Sequence, residues 1–168
     1  MLKIIQVQTE EHKKHIYKLL EENLNETYLL VKHEFNLTFD VDVLLKQDLI
    51  KMSQFALPLG RLLLAEYNDN VAGCLGLRKI GEEVGEIKRM YVRPEYRGKR
   101  VGRALVQAII SEAQQIGYSK LCLDCAPFAK AAQALYYSVG FQSIQPYPES
   151  EIPEEYHSNW TFMELIIK

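Results

Sequence analysis

The sequence predicts an α/β (α+β) domain: a mixed, mostly antiparallel sheet of six to seven strands flanked by about four helices. Three observations predict it. Arg61–Val92 holds three apolar runs in succession, separated by short turn signals, which makes an antiparallel meander. Glu86–Gly117 then reads as strand, glycine-bearing loop and helix, and a further short strand follows at Lys120–Cys125. A strand–helix–strand crossover of this kind makes its two strands parallel neighbours. Two more strand-like runs, Phe141–Gln145 and Asn159–Ile167, close the chain.

The elements follow in order. Leu2–Val7 reads as a short strand. Thr9 is an N-cap with Glu10 and Glu11 in the first turn, where the helix dipole favours negative charge. Ile16, Leu19, Leu20 and Leu24 form the apolar stripe of that helix, which either runs on or breaks near Asn23–Asn25. Phe35–Phe39 reads as irregular. Asp40 or Asp42 caps a second helix, and Pro58 and Gly60 close the region after it. Arg61–Tyr67 is a strand, Asn68-Asp69-Asn70 its turn, and Val71–Ile80 the partner strand. Gly81–Glu83 turns into Val84–Val92. Val101–Ile116 is the clearest helix, with Val101, Ala104, Leu105, Ala108, Ile109, Ala113 and Ile116 at spacings of three and four and Gly117 as its stop. Phe128–Val139 is the last helix, with Ala132, Leu135, Tyr136 and Val139 inward. Pro146, Pro148 and Pro153 punctuate the long loop before the final strand.

The chain has 168 residues, 48% hydrophobic and 25% charged, with a formal net charge of -2. Residues 1–168 therefore read as a single domain large enough for a real core. A nucleic-acid-binding domain is normally basic over its contact surface, so the weakly acidic whole argues against nucleic acid. The first residues carry no apolar signal-like stretch, and no window has the length of a membrane span. Three cysteines without framework spacing read as reduced thiols in a cytoplasmic setting. Cys122 and Cys125 point to opposite faces if both lie on one strand, and no second ligand pair accompanies them, so no metal site is predicted. His12 and His15 share a helix face and read as solvated.

The chemistry-bearing stretch is Arg97-Gly98-Lys99-Arg100-Val101-Gly102, where the chain leaves a strand and enters a helix. The first turn of a helix presents unpaired N–H groups and partial positive charge. Glycine allows close approach, and the flanking cations add charge, so the segment suits a phosphate-bearing ligand. It has neither the P-loop pattern nor the dinucleotide-binding glycine pattern.

The flanks resemble the GNAT N-acetyltransferase superfamily over most of the chain. That family's Arg/Gln-x-x-Gly-x-Gly/Ala signature falls on Arg97 to Gly102. Ile87–Tyr96 is similar to its fourth strand and exit, and Leu135–Phe141 to its Leu-Tyr-x-x-x-Gly-Phe helix ending. Phe162–Leu165 is similar to its last strand. Two positions depart from the pattern. Arg100 stands at the signature's first glycine, where a residue of negative φ would still present its N–H. Ala129 stands where many members carry asparagine, which removes one polar contact to the cofactor.

The resemblance implies acetyl-CoA as co-substrate and a primary amine of a small molecule or peptide as acceptor. It implies a pyrophosphate site on the backbone of Gly98, Lys99, Arg100, Val101, Gly102, Arg103 and Ala104, with Arg97 leading in and Ala129 and Tyr136 facing the cofactor. A pantetheine arm would pair like an added strand with Met90, Tyr91 and Val92, between a fourth and a fifth strand splayed apart. Acyl transfer to an amine needs a base, an oxyanion donor and an acid for the leaving thiolate. Glu86 is the candidate base, directly or through water; its alternative is a salt bridge to Lys88 or Arg89, or a position nearer the strand's exposed start. A backbone N–H near Met90 suits the oxyanion. Tyr136 is the candidate acid, since phenol and thiol have ordinary pKa values near 10 and 8.5; its alternative is a hydrogen-bonded core tyrosine. The alternative function is a non-catalytic acyl-CoA-binding module. The acceptor side would be built by Tyr28–Asp42 and Tyr147–Trp160, where Glu34, Asp40, Asp42, Glu149, Glu151, Glu154 and Glu155 either favour a cationic amine or form a solvated acidic loop. A homodimer is an option the resemblance allows, and no interface is marked in the sequence.

Overall fold

The computed structural model describes residues 1–168. Seven strands form one sheet in the order β1-β2-β3-β4-β5-β7-β6. They are β1 (Leu2–Gln6), β2 (Arg61–Tyr67), β3 (Asn70–Gly81), β4 (Val84–Val92), β5 (Lys120–Cys125), β6 (Gln142–Ile144) and β7 (Thr161–Ile166). Every neighbouring pair is antiparallel except β4 and β5. Four helices cover the sheet: α1 (Glu10–Phe35), α2 (Val41–Ile50), α3 (Val101–Ile116) and α4 (Lys130–Ser138).

Two apolar layers result. One gathers Leu63, Leu75, Leu77, Ile87, Leu121, Leu123 and Met163 of the sheet against Val101, Leu105 and Ile109 of α3 and Tyr136 of α4. The other sets Leu62, Leu64, Cys74 and Tyr91 against Ile16, Leu19 and Leu20 of α1 and Phe55. Alternation along the strands produces both layers, since successive side chains leave opposite faces.

The 26 residues of α1 run straight through Asn23–Asn25. The reason is tertiary: Glu22 and Glu26, one turn apart, hold Arg93 and Arg97 at 2.9 and 2.8 Å. Thr9 caps the helix, accepting from the His12 amide at 3.0 Å. His12 Nδ1 accepts in return from the Gln8 and Thr9 amides, closing a capping box with histidine at the position usual for Glu or Gln. His12 is thus part of a cap and not simply a solvated side chain. Asn36 ends α1 in a left-handed conformation with φ 53°. Asp40 caps α2, accepting from the Val43 amide at 3.2 Å.

The turn joining β2 and β3 has φ of 49° at Asn68 and 66° at Asp69, the doubly left-handed form that suits a two-residue hairpin. Three boundaries lie inside the sequence-based ranges. The last helix starts at Lys130 because the Ala129 amide closes a turn onto Ala126 O at 3.0 Å. The sixth strand starts after Phe141, whose amide is spent on Tyr136 O at 3.0 Å. The seventh starts at Thr161, because the Asn159 and Trp160 amides both turn back to Tyr156 O.

Candidate active site

The parallel pair is short. Only Val84↔Lys120, Gly85↔Leu121 and Glu86↔Cys122 are in register. Beyond Glu86, β4 continues to Val92 and β5 to Cys125 with no pairing between them. The sheet therefore opens into a gap at the carboxyl ends of its two parallel strands, where ligands bind in open α/β sheets. A bulge aids the divergence. Cys74 pairs with Tyr91 and Gly76 with Lys88, so β4 carries one extra residue there. Arg89 takes up the excess at φ 60°, and such a bulge adds twist and bends its strand. The left-handed arginine is anchored at its far end by Asp48 of α2, 2.7 Å away.

The loop after β4 leads into α3. The amides of Gly98, Lys99, Arg100, Val101, Gly102 and Arg103 make no hydrogen bond within the protein; the first helical bond runs from the Ala104 amide to Arg100 O at 3.0 Å, so the expected free amide at Ala104 is corrected and the row of free donors ends at Arg103. No side chain caps α3. The helix dipole and this row of free donors together favour an anion. Gly98 turns the loop at φ 78°, and Arg100 follows at φ 66°. The expected negative φ at Arg100 is therefore corrected. The arginine takes up the left-handed conformation that glycine adopts freely, and that region costs a non-glycine residue about 1 kcal/mol. Gly102 serves packing, since a Cβ there would stand 2.9 Å from Met90 Cε and 3.2 Å from Leu135 Cδ2.

The cations of the loop divide into two groups. Arg97 is committed: it donates to Val92 O at 2.9 Å and to Glu26, and lies over the Tyr91 ring. Arg103 donates to Ser138 Oγ at 2.8 Å. Lys99, beside the Tyr67 ring, and Arg100 carry no hydrogen bond to a protein group and are exposed.

Glu86 is fully buried on the last paired rung. Its carboxylate accepts from Arg78 Nε and from the Tyr147 hydroxyl, each at 2.6 Å, with Lys88 Nζ 3.9 Å away. The main ionic partner is therefore Arg78, and neither Lys88 nor Arg89. A central-strand charge is tolerable only with such compensation. Burial, with the charges of Asp124 and Glu86 and the hydrogen bond to Glu86, pushes the Tyr147 phenol far above its ordinary range. Tyr147 therefore stays neutral and donating.

Tyr136 lies on the other side of the gap, buried against Phe141 at a ring distance of 5.6 Å. Its hydroxyl has no hydrogen-bond partner in the protein, which leaves it available to a ligand. Burial first, then the neighbouring Cys125 and Asp124, drives its pKa well above 10. Ala129 ends the preceding turn and packs on the same core. Cys122 and Cys125 leave opposite faces of β5, and burial pushes their thiols up to about 11 and about 12.

Sequence reasoning missed Arg78 and Asp124, and it placed Tyr147 and Ser150 only within the acceptor-side segment, without their contacts to Glu86 and Asp124. A plain two-residue turn at Glu82–Glu83 would set Lys79 opposite Glu86; a register shift between Lys79 and Gly81 brings Arg78 there instead. Tyr147 and Ser150 belong to a loop with no periodic signal. Asp124 alone was readable, from its even spacing to Cys122.

On the α1/α2 face, the loop of residues 147–152 is strapped across the gap. Arg78 donates to Glu149 O at 2.9 Å, Ser150 Oγ to Asp124 Oδ2 at 3.0 Å, and Lys88 and Lys51 both reach Glu151. Beyond it, Phe35 stacks on Trp160 at 5.9 Å, and Phe128 completes an aromatic wall at 6.5 Å from each.

The profile of the Acetyltransferase (GNAT) family matches residues 14–141, and the chain belongs to this family. An uncharacterized N-acetyltransferase from Schizosaccharomyces pombe is 38% identical over 104 residues, covering 61% of this chain and 64% of that protein. The chain thus spans just under two thirds of that curated relative's length. Among solved structures, a GNAT-family acetyltransferase from Staphylococcus aureus Mu50 superposes with a TM-score of 0.76 at 23% identity, over 100% of both chains. The PaiA N-acetyltransferase from Thermoplasma acidophilum, solved in complex with coenzyme A, gives 0.73 at 18% identity over 99% of both. These likenesses carry the fold.

Proposed function

We propose that the protein is an acetyl-CoA-dependent N-acetyltransferase moving the acetyl group to a primary amine by direct attack on the thioester. The observation that carries this reading is the parting of β4 and β5 directly after Glu86↔Cys122. The unbonded amides of Gly98 to Arg103 would take the pyrophosphate, with Lys99 and Arg100 screening its charge. The pantetheine arm would lie along Met90, Tyr91 and Val92, and an amide near Met90 would hold the oxyanion.

The chain's own groups then divide the proton work. Glu86 acts as base through water, because Arg78 and Tyr147 already occupy one position on each of its oxygens. Tyr136, neutral and without a protein partner, donates to the departing thiolate.

Calorimetry with acetyl-CoA, followed by mass spectrometry of a primary-amine panel incubated with protein and acetyl-CoA, tests the reading. Binding together with an N-acetylated product is expected. Binding without product across the panel would mark an acyl-CoA-binding module, and absence of binding would remove the reading altogether.

A further inference from the structure

Asp124 lies on β5 two residues beyond Cys122, the last β5 residue paired with β4. Alternation puts it on the same face as Cys122 and Glu86. Its register partner on β7 is Phe162, which packs edge-on against Tyr147 at 5.9 Å, and Tyr147 reaches Glu86. The Asp124 carboxylate therefore stands at the open edge of the gap, on the α1/α2 face.

Its charge environment sets it apart. Asp48, Glu86, Glu151 and Glu164, four further carboxylates of this face around the gap, each have a basic nitrogen within 4.0 Å, from Arg89, Arg78, Lys88 and Lys120 respectively, while the exposed Glu149 of the loop has none. Asp124 has no ion pair. Its one hydrogen bond comes from the Ser150 hydroxyl at 3.0 Å, and the carboxylate is partly buried. Burying an ionised carboxylate without a counter-charge is costly unless the site is completed by a cation. The nearby basic side chains leave it unpaired: Lys88 is committed to Glu151 and Arg78 to Glu86, and Lys130, exposed at the start of α4, lines the cleft beside Phe35 and Phe128 without an ion pair to Asp124. Pro127 and Phe128 follow on the same stretch of chain, and the wall of Phe128 and Trp160 offers apolar surface to whatever carries the cation.

The geometry points to Asp124 as the specificity-determining residue that receives the acceptor as a cationic primary amine. This rests on the acetyltransferase reading above. The ammonium supplies the counter-charge the fold withholds, and its nitrogen is held beside the strands between which the thioester would lie. The proton then leaves toward the water on this face, the route proposed for Glu86. An acceptor carrying a carboxylate next to the amine is disfavoured, because that group would meet Asp124 directly.

The test is steady-state transfer by the whole chain at saturating acetyl-CoA, comparing wild type with Asp124→Asn. Competition by alcohols isosteric with the accepted amine is measured alongside. Hydrogen bonds to charged groups are worth about 1.5–3 kcal/mol, so Asp124→Asn should raise the acceptor KM at least about 10-fold. The acetyl-CoA Kd should stay within about twofold, and wild type should bind the amine about 10-fold or more tighter than the alcohol. An unchanged acceptor KM, or an acetyl-CoA Kd that moves in step with it, overturns the assignment. Equal inhibition of wild type by amine and alcohol also overturns it, and needs no variant to fold. If wild type binds acetyl-CoA but acetylates nothing, the activity and this inference fall together. If wild type and Asp124→Asn acetylate alike, only Asp124 falls.

Discussion

Tyr136 and Glu86 differ most in what already occupies their polar atoms. The Tyr136 hydroxyl has no protein partner and sits in a buried setting that holds it neutral. Removing it takes away a proton donor and leaves the ring packing on Phe141 intact. Tyr136→Phe should therefore lower kcat about 10²-fold, the low end for acid catalysis, while the acetyl-CoA Kd measured by calorimetry stays within about twofold. An unchanged kcat would remove Tyr136 as the acid. Glu86 is instead embedded between Arg78 and Tyr147. Glu86→Gln should abolish the rise of kcat/KM with pH that a carboxylate base produces. It also leaves Arg78 without a formal countercharge, so its melting temperature should drop as well. A retained rise in the pH–rate profile would exclude Glu86 as base and leave it the role of fixing Tyr147 over the sheet.

The central element is the junction of β4, its exit loop and α3. Three features converge there: the bulge at Arg89, the left-handed pair Gly98 and Arg100, and the close seat of Gly102 against Met90 and Leu135. Gly102→Leu would drive a side chain between α3, β4 and α4. The first turn of α3 must then move outward, and its free amides move with it. Overpacking of this kind costs about 1–3 kcal/mol. The expected outcome is a folded protein of lower melting temperature whose acetyl-CoA binding, measured by calorimetry, falls at least about 100-fold. Retained affinity would show that the pyrophosphate is not held on this turn. Much of this junction was legible in the sequence, because periodicity marked Val101–Ile116 and glycine marked its ends. The bulge at Arg89 was not, since nothing in Lys88-Arg89-Met90 differs from ordinary strand composition. The continuation of α1 past Asn23 was also hidden, because it depends on Glu22 and Glu26 meeting arginines 71 residues away.

At the scale of the molecule, the gap that admits a ligand also divides the sheet. Strands β1 to β4 form one block and β5 to β7 another, joined through three rungs of parallel pairing. The loop of residues 147–152 belongs to the second block, yet Tyr147, Glu149 and Glu151 all bind groups of the first. It restores across one face the continuity the strands give up. Glu151 is its most pH-sensitive attachment. Burial alone would raise its pKa, but the Lys88 hydrogen bond and charge, with Arg78 and Arg89 beyond, outweigh that and bring it from 4.5 to about 2. A carboxyl whose pKa is depressed by folding stabilises the folded state above its unfolded value and loses that contribution as pH falls through the folded one. The attachment is therefore complete above pH 4.5 and lost progressively toward pH 2. Its side chain is 30% exposed, so screening limits its worth to about 1 kcal/mol, or about 2–4 °C in melting temperature. Glu151→Gln should melt lower than wild type by that amount at neutral pH, with the difference shrinking steadily below pH 4.5 as the wild-type carboxyl takes up its proton. A difference that is constant from neutral pH down to pH 3 would mean that the strap is held by Tyr147, Glu149 and Ser150 alone. The two halves of the sheet would then be joined independently of this charge.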